Sequence, residues 1–141
     1  MTPYLTSSES GTVALGRELG SRLSHGDVVL LEGPLAAGKT AFVRGLAEGL
    51  GCDPDDVSSP TFTIVQEYRG PVRLQHVDLY RLTAEDVDDL GLDDLMEGSV
   101  LAVEWPDRWR HAPEDAIRIR IDPTGPADRR IEIDDRRYST R

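Results

Sequence analysis

A mixed β-sheet flanked by helices, in the α/β class, is what this chain of 141 residues should form. The short apolar run 28–31 leads into a glycine-containing turn and then an amphipathic stretch at 41–50, the strand–turn–helix order of an α/β unit. Two β-prone runs, 62–68 and 72–77, surround Arg69-Gly70-Pro71 and read as a hairpin. Near the end, 117–121 and 130–134 alternate apolar and charged residues, as half-buried antiparallel strands do. A helix-flanked strand combined with hairpins excludes a purely parallel sheet.

Taken along the chain, 7–23 forms an opening helix, with Val13, Gly16, Leu19, Gly20 and Leu23 at spacings of three and four. Residues 28–31 are a buried strand, and the helix after it packs Phe42, Val43, Leu46 and Leu50. Asp53-Pro-Asp-Asp56 is a connector by its Pro and Asp content. Thr83 followed by Asp86 marks a helix start across an acidic block. The run 100–103 is another buried strand, ending in Glu104, and 136–141 is a frayed tail. The length suits one domain over 1–141, and neither a repeat nor a linker divides it.

The turn after the first apolar run is Gly33-Pro-Leu-Ala-Ala-Gly-Lys-Thr40, which fits the phosphate-binding loop G-x-x-x-x-G-K-[ST] in its required strand–helix context. Backbone N–H groups and the helix N-terminus make a concave donor site for phosphate oxygens. Lys39 would reach the β- and γ-phosphates, and the Thr40 hydroxyl would coordinate Mg²⁺. The expected class is therefore a P-loop NTPase domain that takes ATP and Mg²⁺. Pro34 supplies no N–H, and Ala36 stands where many such loops carry glycine; a left-handed backbone there would cost alanine about 1 kcal/mol.

Composition narrows the function. The net charge is −10, and residues 1–100 account for it with 17 acids against 7 bases. Its densest part is Glu85, Asp86, Asp88, Asp89, Asp93, Asp94 and Glu97, with no base between Leu82 and Val100. Such a surface repels phosphate backbones and argues against independent nucleic-acid binding. The block reads as a solvated helix face, while its interleaved Leu90, Leu92, Leu95 and Met96 leave room for partner docking. No apolar stretch approaches the ~20 residues of a membrane span, and the first ten residues lack the pattern of a signal peptide. Cys52 is the only cysteine, consistent with a reducing cytoplasmic setting. His76 and His111 lack metal-ligand spacing.

Phosphoryl transfer also needs a metal-holding carboxylate and a group that positions water. Asp78 and Glu104 both stand at the ends of apolar runs, where side chains emerge at a sheet edge, and either suits Mg²⁺. In Ser58-Ser-Pro-Thr-Phe-Thr63, Pro60 biases Ser59 to an extended backbone, which could present Thr61 to the γ-phosphate; a rigid turn is the plainer reading. Trp105 suits stacking on a base or a partner, or simple core filling.

Jointly, Gly-x-x-x-x-Gly-Lys-Thr at 33–40, Ser-Pro-Thr-Phe-Thr at 59–63, His76-Val-Asp-Leu-Tyr-Arg81 and Val103-Glu-Trp-Pro106 resemble the bacterial tRNA threonylcarbamoyladenosine biosynthesis ATPase family, the TsaE family. The resemblance runs from about residue 9 to residue 130. It implies a small ATPase serving a threonylcarbamoyl-transfer complex, made of a transferase subunit and its non-catalytic paralogue, with tRNA engaged only through that complex. It further implies Thr40 and Glu104 at Mg²⁺, Asp78 as a further active-site acid and Thr61 within a nucleotide-sensing switch. Nucleotide contacts would come from Gly33, Ala36, Ala37, Gly38, Lys39, Thr40 and Ala41, with Glu9 before the opening helix and Arg129, or its neighbour Arg130, near the last strand. The family loop usually reads Gly-Asp-Leu-Gly-Ala-Gly-Lys-Thr, so Pro34 and Ala36 depart from it. A small P-loop nucleotide or metabolite kinase is the alternative, although no arginine-rich lid segment is present.

Overall fold

The computed structural model describes residues 3–34, 37–55 and 65–135. In chain order the elements are β1 (Tyr4–Thr6), α1 (Glu9–Gly20), β2 (Val28–Glu32), α2 (Lys39–Gly49), β3 (Val65–Tyr68), β4 (Arg73–Asp78), α3 (Ala84–Leu90), α4 (Leu92–Met96), β5 (Ser99–Glu104), a 3₁₀ turn (Pro106–Arg108), β6 (Ile117–Pro123) and β7 (Arg129–Asp134). One seven-stranded sheet runs in the order β1-β7-β6-β2-β5-β4-β3. Its middle is parallel, β2 with β5 and β6, and β4 with β5. Both flanks are antiparallel, β3 with β4, β6 with β7, and β1 with β7. The sheet is mixed, as the sequence predicts.

Parallel strands buried on both faces need apolar residues at consecutive positions, and β2 and β5 have them. Val29, Leu31, Val100 and Ala102 face Leu19 of α1 and Phe42, Val43 and Leu46 of α2. The intervening Val28, Leu30, Leu101 and Val103 face Val87, Leu92 and Trp109 on the other side. In β6 the pattern changes to true alternation, with Ile117, Ile119 and Ile121 buried under α1 and α2 while Arg118 and Arg120 are exposed. The bare face of that flank is a ladder of paired charges, Arg118 with Glu32, Arg120 with Asp122 and Arg130 with Glu132.

Helices α1 and α2 lie against one another in the same direction. A Cβ on Gly16 would sit 2.3 Å from the Phe42 carbonyl oxygen, and one on Gly45 2.1 Å from that of Val13, so backbone meets backbone. The same direction of travel puts both N-termini at one end of the sheet, beyond the carboxyl ends of β2, β4 and β5. That is the position of the site.

Several boundaries differ from the sequence reading, for local reasons. The opening helix starts after Ser8, whose hydroxyl accepts from Gly11 N–H at 3.0 Å, and ends at Gly20; Leu23 stays in the core from the turn beyond it. Helix α2 begins at Lys39, inside the loop motif, because Gly38 takes the left-handed φ of 100° that ends the loop. The acidic block is two helices, broken at Gly91 with φ 69°. Thr83 and Asp86 cap the first of them reciprocally, each bond 3.1 Å long. Leu92 is buried, and the half-buried Leu90, Leu95 and Met96 pack against the same core, so these apolar side chains serve the core and leave the seven carboxylates outside. Strand β1 was not expected. Of the predicted first hairpin strand, 62–64 lies outside the described residues, as do most of the connector's continuation and the tail at 136–141.

Candidate functional site

A cleft of about 550 Å³ opens where the two helix N-termini meet the strand ends. Its walls include Ser8, Glu9 and Thr12 from α1, Ala37 to Ala41 and Arg44 from the loop and α2, Asp78, Glu104 and Trp105 from the ends of β4 and β5, and Pro126, Ala127 and Arg129 from the β6–β7 turn. Two N-terminal helix ends converging on one cavity favour an anion, because their N–H groups and dipoles both point into it.

Lys39 is the centre of the arrangement. It is 5% exposed, and its ammonium donates to the Gly33 carbonyl at 2.8 Å. It also stands 3.8 Å from Glu104 Oε1 and 4.2 Å from the centroid of the Trp105 ring. Burial pulls its pKa below 10.5, against the upward pull of Glu104 and then Asp78. Thr40, next in the chain, is exposed on the cleft side.

The acids arrive by register. In the parallel β4–β5 pair, Asp78 is opposite Glu104 and His76 opposite Ala102, so these three polar residues share the face that α2 covers. Glu104 is buried, and its Oε2 lies 2.5 Å from His76 Nε2. Asp78 is exposed and accepts the Tyr80 N–H at 3.0 Å, which leaves its second oxygen to the cleft.

Trp105 is the only non-glycine residue with positive φ among the described ones, at 59°. Such a backbone costs about 1–3 kcal/mol. Its ring lies 5.0 Å from that of Tyr80, and Arg108 fixes the neighbouring loop by donating to the Leu79 carbonyl at 3.0 Å. The strained residue holds an aromatic face over the lysine at the cleft mouth.

Arg129 points into the site, its Nε donating to the Ala37 carbonyl at 2.8 Å, whereas Arg130 projects to the opposite face and pairs with Glu132 at 3.0 Å. Glu9, Ala37, Gly38, Lys39, Thr40, Ala41, Asp78, Glu104 and Arg129 therefore all border one cavity. Gly33 lies at its base through the Lys39 bond, pressed so close to the Ile121 carbonyl that a Cβ would sit 2.3 Å away. Ala36 and Thr61, with the rest of the 58–63 segment, lie outside the described residues. Sequence reasoning missed Ser8, Thr12 and Arg44 as cleft residues, and gave His76, part of the His76–Arg81 motif, no role of its own beyond excluding it as a metal ligand. Its place two residues before Asp78 on one strand was the signal, since positions two apart share a face.

A mixed sheet, a phosphate loop passing from the central strand into a helix, and an acid ending the adjacent parallel strand define a P-loop NTPase domain. The chain also belongs to the TsaE family: residues 6–131 match the model described as "Threonylcarbamoyl adenosine biosynthesis protein TsaE". A tRNA threonylcarbamoyladenosine biosynthesis protein TsaE from a Nostoc species is 38% identical over 139 residues, 94% of this chain and 85% of that protein. Its namesake from Bacillus subtilis is 41% identical over 131 residues, 91% and 82% of the two chains. Among solved structures, that of Bacillus subtilis YdiB superposes with a TM-score of 0.75 at 34% identity, covering 92% of this chain and 82% of that one. No helix among the described residues is long and apolar enough to cross a membrane.

Proposed function

We propose that this chain is a Mg²⁺-dependent ATPase that supports tRNA N6-threonylcarbamoyladenosine modification in the cytoplasm. The observation that carries the reading is the convergence of Lys39, Thr40 and Glu104 at the N-terminus of α2, in a cleft large enough for a nucleotide. The donors fit the groups. Phosphate oxygens find N–H groups of two helix ends and the Lys39 ammonium, while Thr40 and Glu104 offer the hard oxygen ligands that Mg²⁺ prefers. Bound there, Mg²⁺ would neutralise charge developing on the transferred phosphoryl group.

The protein's own groups divide the remaining work. Lys39 exchanges the Gly33 carbonyl for phosphate oxygens. Asp78, exposed and half free, is placed to orient the attacking water, and Arg129 and Glu9 contact the nucleotide from the opposite wall. The 58–63 segment, with Thr61, responds to the γ-phosphate. In this reading ATP sets the association of the chain with the transferase subunit and its non-catalytic paralogue, and hydrolysis resets it. The names of the relatives and the family membership support the pathway; the cleft supports the chemistry.

A reconstituted modification reaction followed over many turnovers tests the whole proposal. With wild-type chain, product should keep accumulating. With Lys39→Ala, or with no chain added, it should stall after about one round, because the charge on the β- and γ-phosphates is lost. Equal multiple-turnover rates in all three reactions would sink it.

A further inference from the structure

We infer that His76 is the positioning residue for the metal-side carboxylate of Glu104, an assignment that rests on the proposed Mg²⁺ role of Glu104. His76 is 7% exposed, and its Nδ1 has no hydrogen-bond partner among the described residues. Its Nε2 lies 2.5 Å from Glu104 Oε2. Facing a carboxylate that only accepts, a neutral imidazole would carry its proton on Nε2 and leave Nδ1 with a bare lone pair. The other neutral tautomer would set two lone pairs against each other and bury an unpaired N–H donor.

An imidazole at this position is a poor choice for packing alone. A leucine would fill this buried position without leaving a polar atom unsatisfied, which costs about 1–3 kcal/mol. What the imidazole supplies is a donor aimed at one carboxylate oxygen. The terminal torsion of a glutamate is broad and nearly two-fold, so a free Glu104 would rotate its two oxygens through many orientations. Pinning Oε2 removes that freedom and leaves Oε1 facing Lys39 at 3.8 Å. That distance is too long for a good hydrogen bond, so Oε1 can take a metal ion without breaking one. Outer partners of this kind commonly change metal affinity or activity about 10–100-fold.

The test compares wild type, His76→Leu and His76→Gln in ATP binding across a Mg²⁺ titration, with metal-free ATP binding as the control for an intact cleft. Gln keeps an N–H donor near the Nε2 position; Leu keeps only bulk. We expect His76→Leu to raise the Mg²⁺ concentration at half effect about 10–100-fold while metal-free binding holds, and His76→Gln to restore most of the difference. A long-range ¹H–¹⁵N spectrum of the wild-type protein should show Nε2 protonated. Wild-type Mg²⁺ dependence in His76→Leu, equal damage in Gln and Leu, or an Nε2 without its proton overturns the inference. Glu104→Gln in the same titration separates the two claims. If it shifts Mg²⁺ dependence and His76→Leu does not, only the His76 assignment falls; if it shifts nothing, the metal role of Glu104 falls and takes this one with it.

Discussion

Lys39 is held in the fold at a cost to its own chemistry. Burial lowers its pKa below 10.5 even with Glu104 and Asp78 close by. The unfolded chain regains the ordinary value, so it binds more protons in the window below 10.5, and stability of the nucleotide-free protein should rise with pH across that window. Nucleotide binding has the opposite dependence. ATP favours the protonated amine, so metal-free affinity should be flat at lower pH and fall as pH rises through the lowered Lys39 pKa. Equilibrium titrations run from neutral pH up to 10.5 would show it, and affinity indifferent to pH would remove Lys39 from the phosphates. Asp78→Ala should slow turnover while sparing ATP affinity, because its proposed role is to orient the attacking water; Glu104→Ala should weaken only the Mg²⁺-dependent part of binding. Single-turnover hydrolysis measured beside binding separates the two. The motif made Lys39 and Thr40 legible in the sequence. The His76–Glu104 contact was not, because it depends on two strands separated by two helices, whose register no local pattern encodes.

At the scale of elements, the site depends on a contact far from it. Gly45 lets α2 lie directly on α1, and an added Cβ would meet the Val13 oxygen at 2.1 Å and the Arg17 nitrogen at 2.8 Å, both backbone atoms. Neither can rotate away, so Gly45→Ala must push the helices apart. Overpacking of this kind costs about 1–3 kcal/mol. Because α1 carries Ser8, Glu9 and Thr12 to one wall of the cleft and α2 carries Lys39 and Thr40 to the other, ATP affinity should fall along with the denaturation midpoint. A folded Gly45→Ala protein with unchanged midpoint and affinity would show that the helix spacing does not matter. Most elements were legible because their burial is periodic: β2 and β5 as continuous apolar runs, β6 and β7 as alternation. Strand β1 was not, because three residues, two of them exposed, give too short a pattern to recognise. The acidic block hid its break because Gly91 breaks the helix by a left-handed backbone, and the apolar spacing on either side continues as if it were one helix.

For the whole molecule, the distribution of charge decides what it meets. The cleft holds three carboxylates, Glu9, Asp78 and Glu104, against three cations, Lys39, Arg44 and Arg129. It is balanced, so the net −10 of the chain lies outside it. On the proposed function a nucleotide would enter a locally neutral, helix-end-lined cavity in an otherwise repulsive surface, whereas a nucleic acid would have to approach that surface itself. The exposed carboxylates of α3 and α4 make this worst on the side of the sheet away from α1 and α2, and among the described residues only Asp88 of them pairs with a cation, Arg110. Binding of polyanions comes largely from cations that displace counterions from the phosphates, and the paired arginines on β6 and β7 are neutralised by neighbours. The chain alone should thus leave labelled tRNA unbound at physiological salt. Lowering the salt should not rescue binding, since a longer screening length, about 30 Å at 0.01 M against about 8 Å, extends repulsion as readily as attraction. Anisotropy of labelled tRNA, with and without ATP and Mg²⁺, measures this. Saturable binding that strengthens as salt falls would mean that tRNA reaches this chain directly, and that its role in the modification is not confined to acting through protein partners.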